Sequence, residues 1–151
     1  MTYNELRKGR VSLPGYVYSV TTVTERRLSI FSDWRVGRLV VHEISRAPGA
    51  DTLAFVVMPD HVHWLFALTG SVSLARLVGG FKGRSAHAVN AALGRSGRLW
   101  QPGFHDHAIR ADEDARRIAR YIIANPLRAR LVERVGDYPL WDATWLDALS
   151  G

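Results

Sequence analysis

The feature that most constrains this chain is a pair of strand-length apolar runs, Leu53 to Met58 and His61 to Leu68, separated only by Pro59-Asp60. So short a connection between β-rich runs closes an antiparallel hairpin, and the core has to grow around it. Upstream, Tyr16 to Thr24 is dense in β-branched and aromatic residues and predicts a strand. Between these segments, Ser32-Asp33 can cap a helix running to about Arg46, with Trp34, Leu39, Val40, Val41 and Ile44 as its apolar positions. Ala47-Pro-Gly-Ala ends that helix. Downstream, Ser73 opens a helix to about Leu93, with Leu74, Leu77, Val78 and Phe81 on one face. Phe104 to Arg110 predicts a fourth strand, and Asp112 caps a helix reaching about Asn125. Pro126 stops it, because the residue before a proline resists the α conformation, and this leaves room for a shorter helix through Leu131.

The order β-α-β-β-α-β-α is the split βαβ pattern. The expected class is α+β: a ferredoxin-like or RRM-like antiparallel sheet with helices on one face, plus a C-terminal helix carrying Tyr121. The 151 residues fit one domain, 1–151, with a basic N-terminal arm at 1–15 and an acidic aromatic tail at 135–151. Ordinary apolar content, with five each of Trp, Tyr and Phe, argues against disorder. No apolar run approaches the roughly 20 residues a bilayer span needs. Met1 to Arg10 has no apolar core for a signal peptide. With no cysteine, thiolate metal sites and disulfide scaffolds are excluded, and a cytoplasmic protein is expected.

The net charge of +6 has a location: His61 to His105 contains no Asp or Glu but holds Arg76, Lys82, Arg84, Arg95 and Arg98. Almost all the basic residues are arginine, which suits bidentate phosphate contacts and base stacking, although a solvated surface would look the same. The tail from 135 onward carries Asp137, Asp142 and Asp147 beside Tyr138, Trp141 and Trp145, with no basic residue. It could fold over a basic groove and restrain activity, or clasp the sheet through its apolar side chains; the clasp is the preferred reading.

Within the hairpin, His61 and His63 lie at i, i+2 on one strand face, while Val62 points the other way. Two imidazoles so spaced can converge on one divalent cation, yet two ordinary histidines have the same spacing. Tyr121 and Asn125 are i, i+4 on a helix and share a face, so a phenol and an amide oxygen can approach one point. Tyr121 as a half-buried aromatic and Asn125 as a C-cap would also explain them. His105-Asp106-His107 repeats the i, i+2 spacing, and a structural role at the sheet edge is the preferred reading.

Taken together, these motifs resemble those of a known family. Val56-Val-Met-Pro-Asp-His-Val-His-Trp-Leu-Phe66 is similar to the metal strand of HUH-type (His-hydrophobe-His) single-tyrosine transposases. Leu99-Trp-Gln-Pro-Gly-Phe-His-Asp-His-Ala-Ile-Arg110 and Tyr121-Ile-Ile-Ala-Asn-Pro-Leu-Arg-Ala-Arg-Leu-Val132 resemble the REP-associated branch of that superfamily. Insertion-sequence members more often carry Gln where this chain has Asn125. The resemblance runs from about Arg7 to Tyr138.

It implies an enzyme that cuts and rejoins single-stranded DNA near hairpins through a 5′-phosphotyrosine intermediate. Tyr121 is then the nucleophile, and His61, His63 and Asn125 are the ligands of a divalent Mg²⁺ or Mn²⁺. Arg7, Arg10, Lys82, Arg84, Arg98, Trp100 and Arg110 are the candidate DNA contacts, Trp100 by stacking on an unpaired base. His107 is a candidate for proton transfer. The implied partner is single-stranded or hairpin DNA, with a monomer favoured over a dimer and no membrane. Two other readings remain: a non-catalytic RRM-like nucleic-acid-binding module, and a metal-dependent phosphodiesterase that uses water as nucleophile.

Overall fold

A computed structural model describes residues 16–109 and 112–144, with the backbone alone for Asp112 and Glu113. Five strands are present: β1 (Val17–Val23), β2 (Ala50–Val57), β3 (His61–Leu68), β4 (His105–Ile109) and β5 (Trp141–Ala143). The helices are α1 (Trp34–Ser45), α2 (Leu74–Leu93), α3 (Asp112–Ile123) and α4 (Asn125–Arg128). The sheet order is β4-β1-β3-β2-β5 and every neighbouring pair is antiparallel. This is the expected α+β class, with one strand, β5, that the sequence pattern did not suggest.

Local chemistry explains the boundaries. Asp33 caps α1, its side chain accepting from the Arg35 N–H at 3.0 Å. Ser73 does the same for α2 through the Arg76 N–H at 3.2 Å. Gly94, with φ +62°, ends α2 in the left-handed conformation that glycine tolerates best. The hairpin closes with the Met58 N–H on the His61 carbonyl at 2.8 Å. Its turn is tied down from outside: the Thr24 N–H donates to the Asp60 carbonyl and the Phe31 N–H to the Pro59 carbonyl, each at 2.9 Å.

The two faces of the sheet are covered by different elements. Trp64 and Phe66 point towards the α1–α2 layer, where Phe81 of α2 meets the Trp64 ring at 5.1 Å and Trp100 at 5.9 Å. Full burial of side chains this large stabilises the layer by about 1.5–3 kcal/mol each. On α1, Val36, Val40 and Ile44 form the buried stripe, whereas Trp34 is 45% exposed and only edges onto Tyr138. The opposite face carries Ala54, Val56, Leu65 and Ala67, all fully buried. There α3 lies across β2, β3 and β5 through Ala115, Ala119 and Ile122 at helical spacing. The histidines at 61 and 63 belong to this second face, so the tyrosine helix and the His pair are on the same side of the sheet.

The segment after α4 is a clasp. Tyr138 and Leu140 are buried, and the Tyr138 hydroxyl donates to the Val57 carbonyl at 2.5 Å. β5 then extends the sheet beyond β2. Trp145 and Asp147 lie outside the described residues. Among the described residues, no helix is long and apolar enough to cross a membrane.

Candidate active site

Strand register builds the site. Thr21 of β1, His63 of β3 and Val56 of β2 form one cross-sheet row, and His61 stands opposite Val23. The His61 and His63 rings meet edge to face with centroids 4.9 Å apart. Each has its Nδ1 engaged. His61 Nδ1–H donates to Asp60 Oδ1 at 2.7 Å, and His63 Nδ1 is 2.9 Å from Thr21 Oγ1. A carboxylate on Nδ1 sets the tautomer that leaves His61 Nε2 with a free lone pair, whereas the Thr21 hydroxyl can either accept from or donate to His63 Nδ1.

Electrostatics favour neutral rings at the second histidine. Burial, then the charge of His61, then that of Arg128 push the His63 pKa down to about 4, so it is neutral at physiological pH. Burial would raise the Asp60 carboxyl, but its hydrogen bond to His61, the His61 charge and Arg27 at 3.3 Å outweigh it and hold the pKa below the usual value. Asp60 therefore stays an acceptor.

Tyr121 is on α3 and its side chain is exposed (59%). The Arg128 guanidinium sits 3.7 Å from the centroid of its ring, and Arg128 Nη2 donates to the Tyr121 carbonyl at 2.7 Å. Arg128 thus stands against Tyr121 and close enough to His63 to act on its charge state. Asn125 lies in the turn between Tyr121 and Arg128, where α3 gives way to α4 at Ala124. Its Nδ2 is buried with no hydrogen-bond partner. A half-turn of the amide exchanges nitrogen for oxygen, so this orphaned position can offer either a donor or a ligand.

Two imidazole nitrogens and an amide oxygen are donor types that a divalent cation can accept; the imidazoles are borderline donors and do not by themselves select a hard ion. Among the described residues, no group of three or more His, Cys, Asp or Glu side chains could hold a metal ion.

The family model described as "Transposase IS200 like" matches residues 12–125, a span that includes His61, His63, Tyr121 and Asn125. The chain belongs to this family, the IS200-like transposases. It is 26% identical over 137 residues to the REP-associated tyrosine transposase of Escherichia coli K12, covering 90% of this chain and 80% of that protein. It is 29% identical over 112 residues to the ISDra2 transposase TnpA of Deinococcus radiodurans, covering 66% and 77% respectively. A solved structure of a REP-associated tyrosine transposase bound to a REP hairpin superposes with a TM-score of 0.68 at 27% identity, covering 87% of this chain and 79% of that one.

Several residues expected at the DNA surface of this IS200-like transposase do other work. Trp100 is 3% exposed, packs on Phe31 and Phe81, and donates from Nε1 to Ser85 Oγ at 3.0 Å. It is a core residue and has no free face for a base, which corrects the stacking expectation. Lys82 donates to the carbonyls of Gln101 and Gly103, at 2.8 and 2.5 Å, and so tethers the 101–103 loop. Arg84 pairs with the buried Glu43 of α1 at 3.3 Å, on the layer away from the histidines. The acid-free run is therefore not one basic face: part of it neutralises the interior. Arg98 is exposed, with only a long contact to Glu25 at 3.6 Å. Arg7, Arg10 and Arg110 lie outside the described residues.

On β4, one of the two edge strands, His105 and His107 are both exposed. Register sets His105, not His107, opposite Thr21 and so in line with His63; His107 stands opposite Ser19. Sequence reasoning missed Asp60, Thr21 and Arg128. Asp60 precedes His61 and was visible as a neighbour. Thr21 is 42 residues from His63, and only cross-strand register joins them.

Proposed function

We propose that this chain cuts and rejoins single-stranded DNA beside a hairpin, with Tyr121 as nucleophile. One observation carries the reading: an exposed Tyr121, gripped by Arg128, lies on the same sheet face as two histidines whose Nδ1 atoms are engaged by Asp60 and Thr21. In the cleaving step Tyr121 Oη attacks the scissile phosphorus, the bond from phosphorus to the 3′ oxygen breaks, and the phenolic proton is lost. A 5′-phosphotyrosine forms and the departing 3′ oxygen takes up a proton. Attack by a 3′-hydroxyl reverses these changes and rejoins the strand, so bond energy is conserved and no nucleotide cofactor is consumed.

His61 Nε2, His63 Nε2 and the Asn125 amide oxygen would hold Mg²⁺ or Mn²⁺. When bound, that ion supplies Lewis-acid polarisation of the phosphate. Asp60 keeps His61 in the ligand tautomer, and the contacts to Asp60 and Thr21 fix the orientation of the two rings. Arg98 and the basic residues at 7, 10 and 110 would contact the DNA backbone. A REP-type hairpin is the proposed substrate, a reading supported by the relative solved with a REP hairpin. A monomer is the proposed active form, a reading compatible with α3 packing against β2, β3 and β5.

The test is a library of single-stranded hairpin oligonucleotides incubated with Mn²⁺ or Mg²⁺ and resolved on denaturing gels. Wild type should give a protein–DNA adduct that disappears in Tyr121→Phe and in His63→Ala. Cleavage without adduct that survives Tyr121→Phe would instead mark a water-using phosphodiesterase. Binding without cleavage under every metal would mark a nucleic-acid-binding module.

A further inference from the structure

The contacts around Tyr121 hold more than a nucleophile needs for packing. In α3 the helical ladder ends with the Ala124 N–H on the Arg120 carbonyl at 3.1 Å. The next carbonyl, that of Tyr121, is taken instead by Arg128 Nη2. The same guanidinium covers the Tyr121 ring face at 3.7 Å. One side chain, seven residues on, therefore holds both the backbone and the ring of one exposed tyrosine. An exposed phenol without such a grip samples several χ1 wells, and each well moves Oη by several ångströms. α4 makes the reach possible: Pro126 removes one amide from the ladder, and the Arg128 N–H closes on the Ala124 carbonyl at 3.0 Å, turning the side chain back over α3.

We propose that Arg128 is a positioning residue that locks the Tyr121 side chain in one rotamer for attack. This rests on Tyr121 being the nucleophile. A planar guanidinium can stack and donate at the same time; an ammonium is a compact point charge that cannot do both. Arg128 would hold the phenol before DNA arrives, so the ordering entropy is not charged to the chemical step.

Two measurements test this on the full chain. In the free protein, NMR scalar couplings about the Tyr121 Cα–Cβ bond should report a single rotamer, and Arg128→Met should average them. With the hairpin oligonucleotide that yields the adduct, single-turnover adduct formation should slow about 3–5-fold in Arg128→Met, the population lost when the phenol samples all its χ1 wells, and Arg128→Lys should recover less than half of that loss. Hairpin Kd and thermal midpoint, measured alongside, should stay close to wild type. Unaveraged couplings in Arg128→Met, a wild-type rate, full rescue by lysine, or a rate loss matched by lost affinity or folding each overturns the positioning role. An adduct that survives Tyr121→Phe overturns the tyrosine reading itself, a failure seen in that variant and not in the Arg128 series.

Discussion

His63 makes a prediction that can be worked from its surroundings. Its folded pKa is about 4, against 6.5 for a free histidine, because burial, His61 and Arg128 all oppose a second positive charge there. As pH falls below about 6.5 the unfolded chain takes the proton first, so the unfolded state binds more protons and folding stability drops. The contribution is fully present above the unfolded value and is lost as pH falls towards the folded one. Integrated over that window, the loss is about 1 kcal/mol by about pH 5.5 and about 3 kcal/mol by about pH 4. His63→Gln cannot take the proton and should lack this component. The assay is urea unfolding of metal-free wild type and His63→Gln at matched pH steps between 7 and 4. Other groups, Asp60 among them, titrate in both proteins, so the informative quantity is the difference between the two curves. Wild type should lose more stability than the variant, with the gap opening below pH 6.5. Parallel curves would refute the reasoning, since they would mean that the His63 ring is solvated well enough to charge in the folded state.

Asp60→Ala should weaken Mn²⁺ binding by about 10–100-fold in a titration calorimetry comparison, because His61 loses the acceptor that orients it. Trp100→Ala should cost about 3–5 kcal/mol in urea unfolding, the range for a core aromatic, rather than a selective loss of hairpin affinity. Arg84→Ala should lower stability by about 1 kcal/mol by leaving the Glu43 carboxylate without its partner, with Glu43→Gln restoring most of it in the double variant. Truncation after Gly136 removes Tyr138, Leu140 and β5. It should lower the thermal midpoint sharply and give no gain in cleavage, whereas faster cleavage in a folded truncation would revive the restraining-tail reading.

How far the chain could be read in advance differed from residue to residue. His61 to Leu68 shows its strand bounds directly, since an apolar run behind Pro59-Asp60 has no other economical use. Ser73 and Gly94 mark α2 to the residue, because capping is local chemistry. β5 was hidden: three residues with one buried position carry no periodicity, and what makes them a strand is the free edge of β2. The tyrosine helix was legible as a helix, but not the face it takes. The α1–α2 layer already occupies the Trp64 side, which leaves Ala54, Val56, Leu65 and Ala67 as the surface α3 must cover.

The same division runs through the site. The succession of elements through α4 and the residue types at the candidate site (His61, His63, Tyr121 and Asn125) are properties of the sequence alone, as is the resemblance of whole motifs to a family. Which cations are free is not. Lys82, Arg84 and Arg98 look alike in a charge count, yet one tethers a loop, one neutralises a buried carboxylate and one faces solvent. Likewise Thr21 on His63 and Arg128 on Tyr121 follow from register and from a helix break. Long-range partners depend on where the backbone returns, and that is settled only when both faces of the sheet are packed.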